Sequence, residues 1–294
     1  MARLYHALWR HDNKFQIVMK AHTGEGHNFY AAMWADLSAG RWPGATTANK
    51  QHAFTLSFRD QMFTLVMCDY PGEVFSRAFM GDASSLGPAE QELLGNLQRA
   101  EALLVCVDPA VAFNSSRPDA KYQETTDQDF GLAEALRQLR LQPGGSQVPV
   151  ALVVTKCDAY THAIKSFGSL DAFVEHFYPN LLQVSSSNRC GVFPASAVKV
   201  RRSVTASNRP DWSGNYRFVV EPLKACLVRI WKRREQAEKA EIDATKRENT
   251  IRQEHEAEAT ERKENWKIWL TIGISVAFAV LAMALLLWLF WKKL

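Results

Sequence analysis

Cysteine is scarce and unpatterned in this chain: five residues, at 68, 106, 157, 190 and 226, with no C-x-x-C pair and no Cys/His ligand spacing. That excludes a disulfide scaffold and a structural zinc site, and the thiols read as reduced. Charge of one sign is also lacking. With 35 Lys+Arg against 31 Asp+Glu the formal charge is +4, so no basic field exists to hold nucleic acid, and none is expected as a partner. Met1 to Arg10 lack the apolar run of a signal peptide. What is present is 294 residues, nine Trp among them, 47% hydrophobic and 22% charged. Such a composition suits one folded domain with additions, and neither a disordered chain nor two full-sized enzyme domains.

The additions lie at the C-terminus. Residues 232–267 hold ten basic and ten acidic residues and neither Gly nor Pro, a composition that favours helix throughout. Glu235/Lys239, Asp243/Arg247, Glu248/Arg252 and Glu258/Arg262 set an acid four residues before a base, the favoured orientation on a helix face. The few apolar residues here hold no a/d heptad, so a solvated helical stalk is expected rather than a coiled coil. From Ile268 to Trp291 come 24 residues without a charge. As a helix they span about 36 Å, slightly more than the hydrocarbon core of a bilayer. Trp266 and Trp269 at one end and Trp288 and Trp291 at the other suit the two headgroup levels, with Lys267, Lys292 and Lys293 flanking them. A single-pass C-terminal anchor is therefore expected, with the N-terminal domain cytoplasmic. A transport role is poor, since this span offers no ionisable residue for a pathway.

Residues 1–231 alternate strand and helix signals. Lys14–Lys20, Ala53–Phe58, Met62–Cys68, Ala102–Val107, Val150–Thr155 and Gly191–Ala195 read as strands. Asn28–Leu37, Glu90–Arg99, Gly131–Leu139 and Leu170–Phe177 read as helices. The short Phe58 to Met62 link predicts one antiparallel hairpin in an otherwise parallel sheet, with helices on both faces. Asn114–Asp129, Pro179–Gly191 and Arg201–Gly214 are turn-rich and are expected as surface loops. The expected organisation is thus an α/β domain over 1–231, a stalk over 232–267 and a membrane helix over 268–291.

Three strand ends carry chemistry. Met62–Cys68 is followed by Asp69-Tyr70-Pro71-Gly72-Glu73, Val150–Val154 by Thr155-Lys156-Cys157-Asp158, and Gly191–Ala195 by Ser196-Ala197-Val198-Lys199. Open α/β sheets bind ligands at the carboxyl ends of their strands. In this order, D-x-P-G, T-K-x-D and S-A-x-K resemble the later signatures of the Ras-like, translation-factor-type P-loop GTPases of the TRAFAC class, in a bacterial form. The resemblance covers about Phe15 to Lys232.

That resemblance implies GTP or GDP with Mg²⁺. Guanine offers two adjacent donors, and one ionised carboxylate, Asp158, can accept both, which adenine cannot match. The stem of Lys156 would lie along the base, Thr155 would open the same turn, and Ser196, Ala197 and Lys199 would form the turn facing the guanine oxygen. Asp69 would hold Mg²⁺ through water, and the Gly72 amide would meet the γ-phosphate. Glu73 stands where many relatives carry Gln and would orient the attacking water, against the repulsion between a carboxylate and phosphate. Thr46 or Thr47 sits where a switch threonine would ligate Mg²⁺, or else is an ordinary turn residue after Pro43-Gly44.

One part of the pattern is missing. No G-x-x-x-x-G-K-[ST] phosphate loop occurs in the 294 residues. Two explanations stand. Ala21 to Asn28 could be a decayed loop keeping only Gly26. Alternatively, the chain is N-terminally short, with Leu4 to Leu8 belonging to the helix that would follow the loop, and with Gly40-Arg41-Trp42-Pro43-Gly44-Ala45-Thr46 and Asp69 to Glu73 in the matching order. The implied function is a membrane-anchored guanine-nucleotide switch or assembly module, which hydrolyses GTP if a phosphate loop is supplied. The other reading is a non-hydrolysing GTPase-like scaffold that recruits a protein partner to the membrane.

Overall fold

The computed structural model describes residues 2–9, 14–42, 50–69, 72–80, 86–113, 118–196, 199–201, 209–211 and 217–291. Contacts divide the chain into two units, residues 1–232 and 233–294.

In the first unit, strands β1 (Ile17–Ala21), β2 (Lys50–Phe58) and β3 (Gln61–Asp69) form an antiparallel sheet in that order. Alternation sends Ile17 and Met19, together with Phe54, Leu56 and Phe58, into one core. The expected hairpin joins β2 to β3 through Arg59 and Asp60, both at positive φ, 50° and 61°. A two-residue turn needs that backbone to match the strand twist. Neither residue is Gly, and the Arg59 guanidinium lies 4.2 Å from the centre of the Trp231 ring, a cation–π contact that helps hold the turn.

A second, parallel sheet holds β4 (Leu103–Val107), β5 (Val150–Val154) and β6 (Arg189–Pro194), with β5 central. All five residues of β5 are buried, as the continuous run Val-Ala-Leu-Val-Val requires of a strand covered on both faces. The short strands β7 (Lys199–Arg201) and β8 (Arg209–Asp211) pair antiparallel. The single mostly parallel sheet expected from the sequence is therefore found as separate parallel and antiparallel sheets among the described residues. The reason lies in β1, which pairs antiparallel with β2 rather than joining the parallel set.

The helices are α1 (Ala2–Leu8), α2 (Gly24–Ser38), α3 (Gly72–Met80), α4 (Pro88–Gln98), α5 (Pro109–Phe113), α6 (Pro118–Leu141), α7 (Thr161–Lys165), α8 (Leu170–Phe177), α9 (Pro179–Ser185) and α10 (Arg217–Trp291). Two expected loops are helical in part, α6 covering residues 118–129 of the first and α9 residues 179–185 of the second. Pro118 and Pro179 open α6 and α9, positions where the missing N–H has no helical partner to lose. Within the first unit, Val220, Leu223 and Leu227 of α10 join the β1–β3 core. A second core packs β5 against α6, α8 and α9 through Leu136, Phe173, Tyr178 and Leu181.

The second unit is helical and exposed. Of the four acid-before-base pairs expected there, Glu258 and Arg262 meet at 3.4 Å, while Arg252 pairs with Glu256 at 3.2 Å in place of Glu248. The chain has one helix long and apolar enough to cross a membrane among the described residues, and its apolar stretch is wholly exposed.

Candidate functional site

Because β4, β5 and β6 are parallel, their carboxyl ends gather on one side of the sheet. The turn after β5 is fixed to both neighbours. Thr155 N donates to Val107 O at 2.9 Å and Thr155 Oγ1 donates to the same carbonyl at 3.0 Å. On the other side Ala195 N donates to Val154 O at 2.8 Å, and Cys157 N to Ala195 O at 3.3 Å. Thr161 Oγ1 donates to the carbonyls of Cys157 and Asp158 at 2.8 and 3.2 Å, closing the turn from its own C-terminal side. Burial pushes the Cys157 thiol up from its ordinary range, so it stays protonated and serves as a small apolar filler beneath the turn.

Lys156 occupies the left-handed region, φ 52°, which turns its side chain out of the strand direction and across to β4. There its Nζ lies 2.5 Å from Asp108 Oδ2. Asp108 also caps α5, accepting from Ala110 N at 2.9 Å. It reaches a third neighbour electrostatically: burial first, then Asp108 and Asp129, hold the Tyr178 hydroxyl well above its usual range. Asp158 is half-buried, and its carboxylate takes no hydrogen bond from a described residue. The arrangement leaves one carboxylate acceptor in a turn whose Cys157 amide is bonded to Ala195, at a strand end where open sheets take ligands.

Of the residues singled out in the sequence, Thr155, Lys156 and Asp158 share the turn after β5, and Ser196 follows Ala195, to which the Cys157 amide is bonded. Asp69 is the last residue of β3, and Gly72 and Glu73 are the first two of α3. Lys199 opens β7. Thr46, Thr47 and Ala197 lie outside the described residues. Among the described residues no group of three His, Cys, Asp or Glu gathers to hold a metal ion. Asp108 was not singled out by sequence; its signal is the Asp108-Pro109 step, a capping residue followed by Pro at the first helical position straight after a strand.

The segment Ala21 to Asn28 has the wrong shape for a decayed phosphate loop. His22 N still donates to Ala53 O at 3.1 Å, Thr23 caps α2 by accepting from Gly26 N at 3.1 Å, and the helix begins at Gly24. One residue between ladder and helix leaves no amide cradle for phosphates. His27, the position that would replace the lysine, turns instead to α1, its Nδ1 2.7 Å from the Tyr5 hydroxyl.

Parallel β4–β6 with these turns at its ligand-binding end, beside an antiparallel hairpin, defines a GTPase-like α/β domain. Residues 28–204 match the family model of Double-GTPase 2, and the chain belongs to that family. Comparison with curated proteins and with solved structures returns no match. Membership carries GTP or GDP and Mg²⁺ as the ligands of such domains in general.

Proposed function

We propose that the chain is a guanine-nucleotide-binding switch or assembly module, held at the cytoplasmic face of a membrane by residues 268–291 with residues 232–267 as its stalk. The observation that carries this reading is the Thr155 to Asp158 turn, tied to Val107 on one side and Ala195 on the other, with the Asp158 carboxylate open to a ligand. Asp158 selects guanine by accepting from both of its adjacent donors. The Lys156 stem covers one face of the base, with Asp108 holding its ammonium, and the backbone of Ser196 and Ala197 serves the base oxygen. Toward Mg²⁺ and the phosphates, the groups assigned are Asp69, the Gly72 amide, and Thr46 or Thr47, with Glu73 beside the γ-phosphate position and Lys199 supporting the base-side turn. A bound metal would neutralise phosphate charge there.

The test is a fluorescent-nucleotide titration of the full chain in detergent, with unlabelled GDP, GTP, ATP and XDP as competitors. GDP and GTP should displace the probe and ATP should not. Asp158→Asn reverses one acceptor into a donor, so preference should move to XDP by at least tenfold. Equal competition by ATP and GTP would overturn the assignment.

A specific observation favours a second reading, a GTPase-like scaffold that binds without hydrolysing and presents a protein partner at the membrane. The described residues offer no amide cradle after β1, where α2 starts at Gly24. Phosphoryl transfer depends on such positioning and charge stabilisation. On this reading the protein holds nucleotide weakly and turns it over near the uncatalysed rate.

A further inference from the structure

The ladder between β5 and β6 carries an irregularity. Val150 pairs with Arg189 and Ala151 with Gly191, so Cys190 is the extra residue of a β-bulge and has no partner across the ladder. A bulge re-aims the side chain of its unpaired residue. Here it sets Cys190 Sγ 3.9 Å from Cys226 Sγ on α10. Gly191 sustains the bulge: its φ is +148°, and a Cβ there would meet the Phe193 ring at 3.2 Å. Arg229, one helical turn after Cys226, donates from Nη1 to Asn188 O at 3.0 Å, and its charge acts on both thiols.

The two sulfurs are not equivalent. Cys226 is buried at 1% exposure, while Cys190 is half-buried. The contact with Cys226 first, and then the charge of Arg229, draw the Cys190 thiol below its ordinary range against the opposing effect of burial. The same contact, together with burial, pushes Cys226 up. The half-buried Cys190 sulfur ionises more readily than an ordinary thiol, and the buried Cys226 less readily.

We propose that Cys190 and Cys226 are a reversible oxidation site that closes to an intramolecular disulfide by exchange with a low-molecular-weight disulfide such as oxidised glutathione. The Cys190 thiolate attacks one sulfur of the small disulfide; a protein–glutathione disulfide forms and the first glutathione thiolate leaves and takes a proton. Cys226 then gives its proton to solvent and attacks the Cys190 sulfur, expelling the second glutathione thiolate. Two protein thiols are oxidised, and one small disulfide is reduced to two thiols. The sulfurs approach by about 2 Å to reach bonding distance. The closed loop spans a sequence separation of 36 residues. It includes Ser196, β7 and β8, and ties α10 to β6, so oxidation restrains the segment that the proposed function assigns to the base. That consequence rests on the nucleotide reading; the chemistry of the pair does not.

The experiment uses the full chain in detergent, folded and without denaturant. It is incubated with oxidised glutathione, alkylated, and mapped by peptide mass spectrometry without reduction. The expected result is a Cys190–Cys226 linked peptide within one chain, reversed by a dithiol, with a melting temperature raised by several degrees because a cross-link restrains the unfolded chain. Cys226→Ser should stop at a glutathione adduct on Cys190, and Cys190→Ser should leave Cys226 unmodified. Persistence of both thiols as alkylated residues, a link to another cysteine, or a link between two chains would overturn the proposal. The wild-type map decides even where a serine variant fails to fold. Nucleotide titration of the oxidised chain is a separate arm, so loss of the nucleotide reading leaves the disulfide result standing.

Discussion

Lys156 and Asp108 form an ion pair that links the end of β5 to the end of β4, 2.5 Å from Nζ to Oδ2. The lysine side chain is 58% exposed and the aspartate 31%, so solvent screens most of the attraction. Asp108 has a second task in capping α5 through Ala110 N. The cap should dominate. Asp108→Ala is expected to lower unfolding free energy by about 1 kcal/mol, the ordinary cost of losing a helix cap, whereas Lys156→Met should cost less than about 0.5 kcal/mol. Urea unfolding of the full chain in detergent, at low and high salt, measures both. A strongly salt-dependent loss for Asp108→Ala would give the pair the larger share.

Glu90 has a different environment. It is buried, and Arg77 Nε donates to its Oε1 at 2.7 Å. That hydrogen bond first, then the backbone amides at the start of α4, hold its carboxyl below the ordinary glutamate range. The folded state therefore releases the proton more readily than the unfolded chain. The stabilisation is complete above the ordinary glutamate value and is lost as pH falls through the lower folded value. Melting temperature followed from neutral to acid pH should fall less steeply in that window for Glu90→Gln than for wild type, with Arg77→Gln intermediate. Parallel curves for all three would remove Arg77 as the cause.

Asp129 tests a buried carboxylate of another kind. It lies in α6, 2% exposed, and accepts from Asn180 N at 3.1 Å, Asn180 Nδ2 at 2.8 Å and Leu181 N at 2.8 Å. These amides open α9, so the side chain of one helix satisfies the free N–H groups of another. Asp129→Ala leaves the buried Leu181 N–H without a partner and strips the half-buried Asn180 groups of their acceptor, and should cost about 2–4 kcal/mol; Asp129→Asn, which keeps one acceptor, should cost less. Urea midpoints of the two variants decide the order.

Asp129 also marks where the sequence was hard to read. Asn114 to Asp129 is polar enough to pass for a loop, yet α6 occupies residues 118–129 of it, because Pro118 supplies a start and Asp129, facing α9, is bonded rather than apolar. Periodicity reports burial by apolar side chains and is silent about polar groups satisfied across helices. The Arg59-Asp60 hairpin and the Val150 strand were legible because their determinants are local: a two-residue link and five consecutive apolar residues. The pairing of β1 with β2 was not, since alternation fixes which face is buried but not which strand lies alongside. At the site, the Thr155 to Asp158 turn could be read directly. Its anchor Asp108 lies 48 residues from Lys156, a partnership that only the parallel pairing of β4 with β5 creates.

The C-terminal helix yields a quantitative expectation of its own. Its residues from Trp266 to Met283 that are large and apolar are exposed, and residues 268–291 contain thirteen Leu, Ile, Val or Phe. At about −0.3 to −0.6 kcal/mol each these favour insertion by roughly 4–8 kcal/mol, while one arginine at the centre of a span opposes it by about 2.5–3.5 kcal/mol. A single Val280→Arg should therefore leave the protein in the alkali-resistant membrane fraction. Adding Val276→Arg brings the opposing total to about 5–7 kcal/mol, which consumes the favourable sum, and a large share should move to the soluble fraction. The two valines are four residues apart on one helix face, Val280 at the centre of the span and Val276 about 6 Å nearer one end, so the second arginine sits at the lower end of that cost range. Release by the single variant would show that the apolar stretch contributes less than its composition predicts; retention of the double variant would show that contacts beyond the stretch itself hold the protein at the membrane.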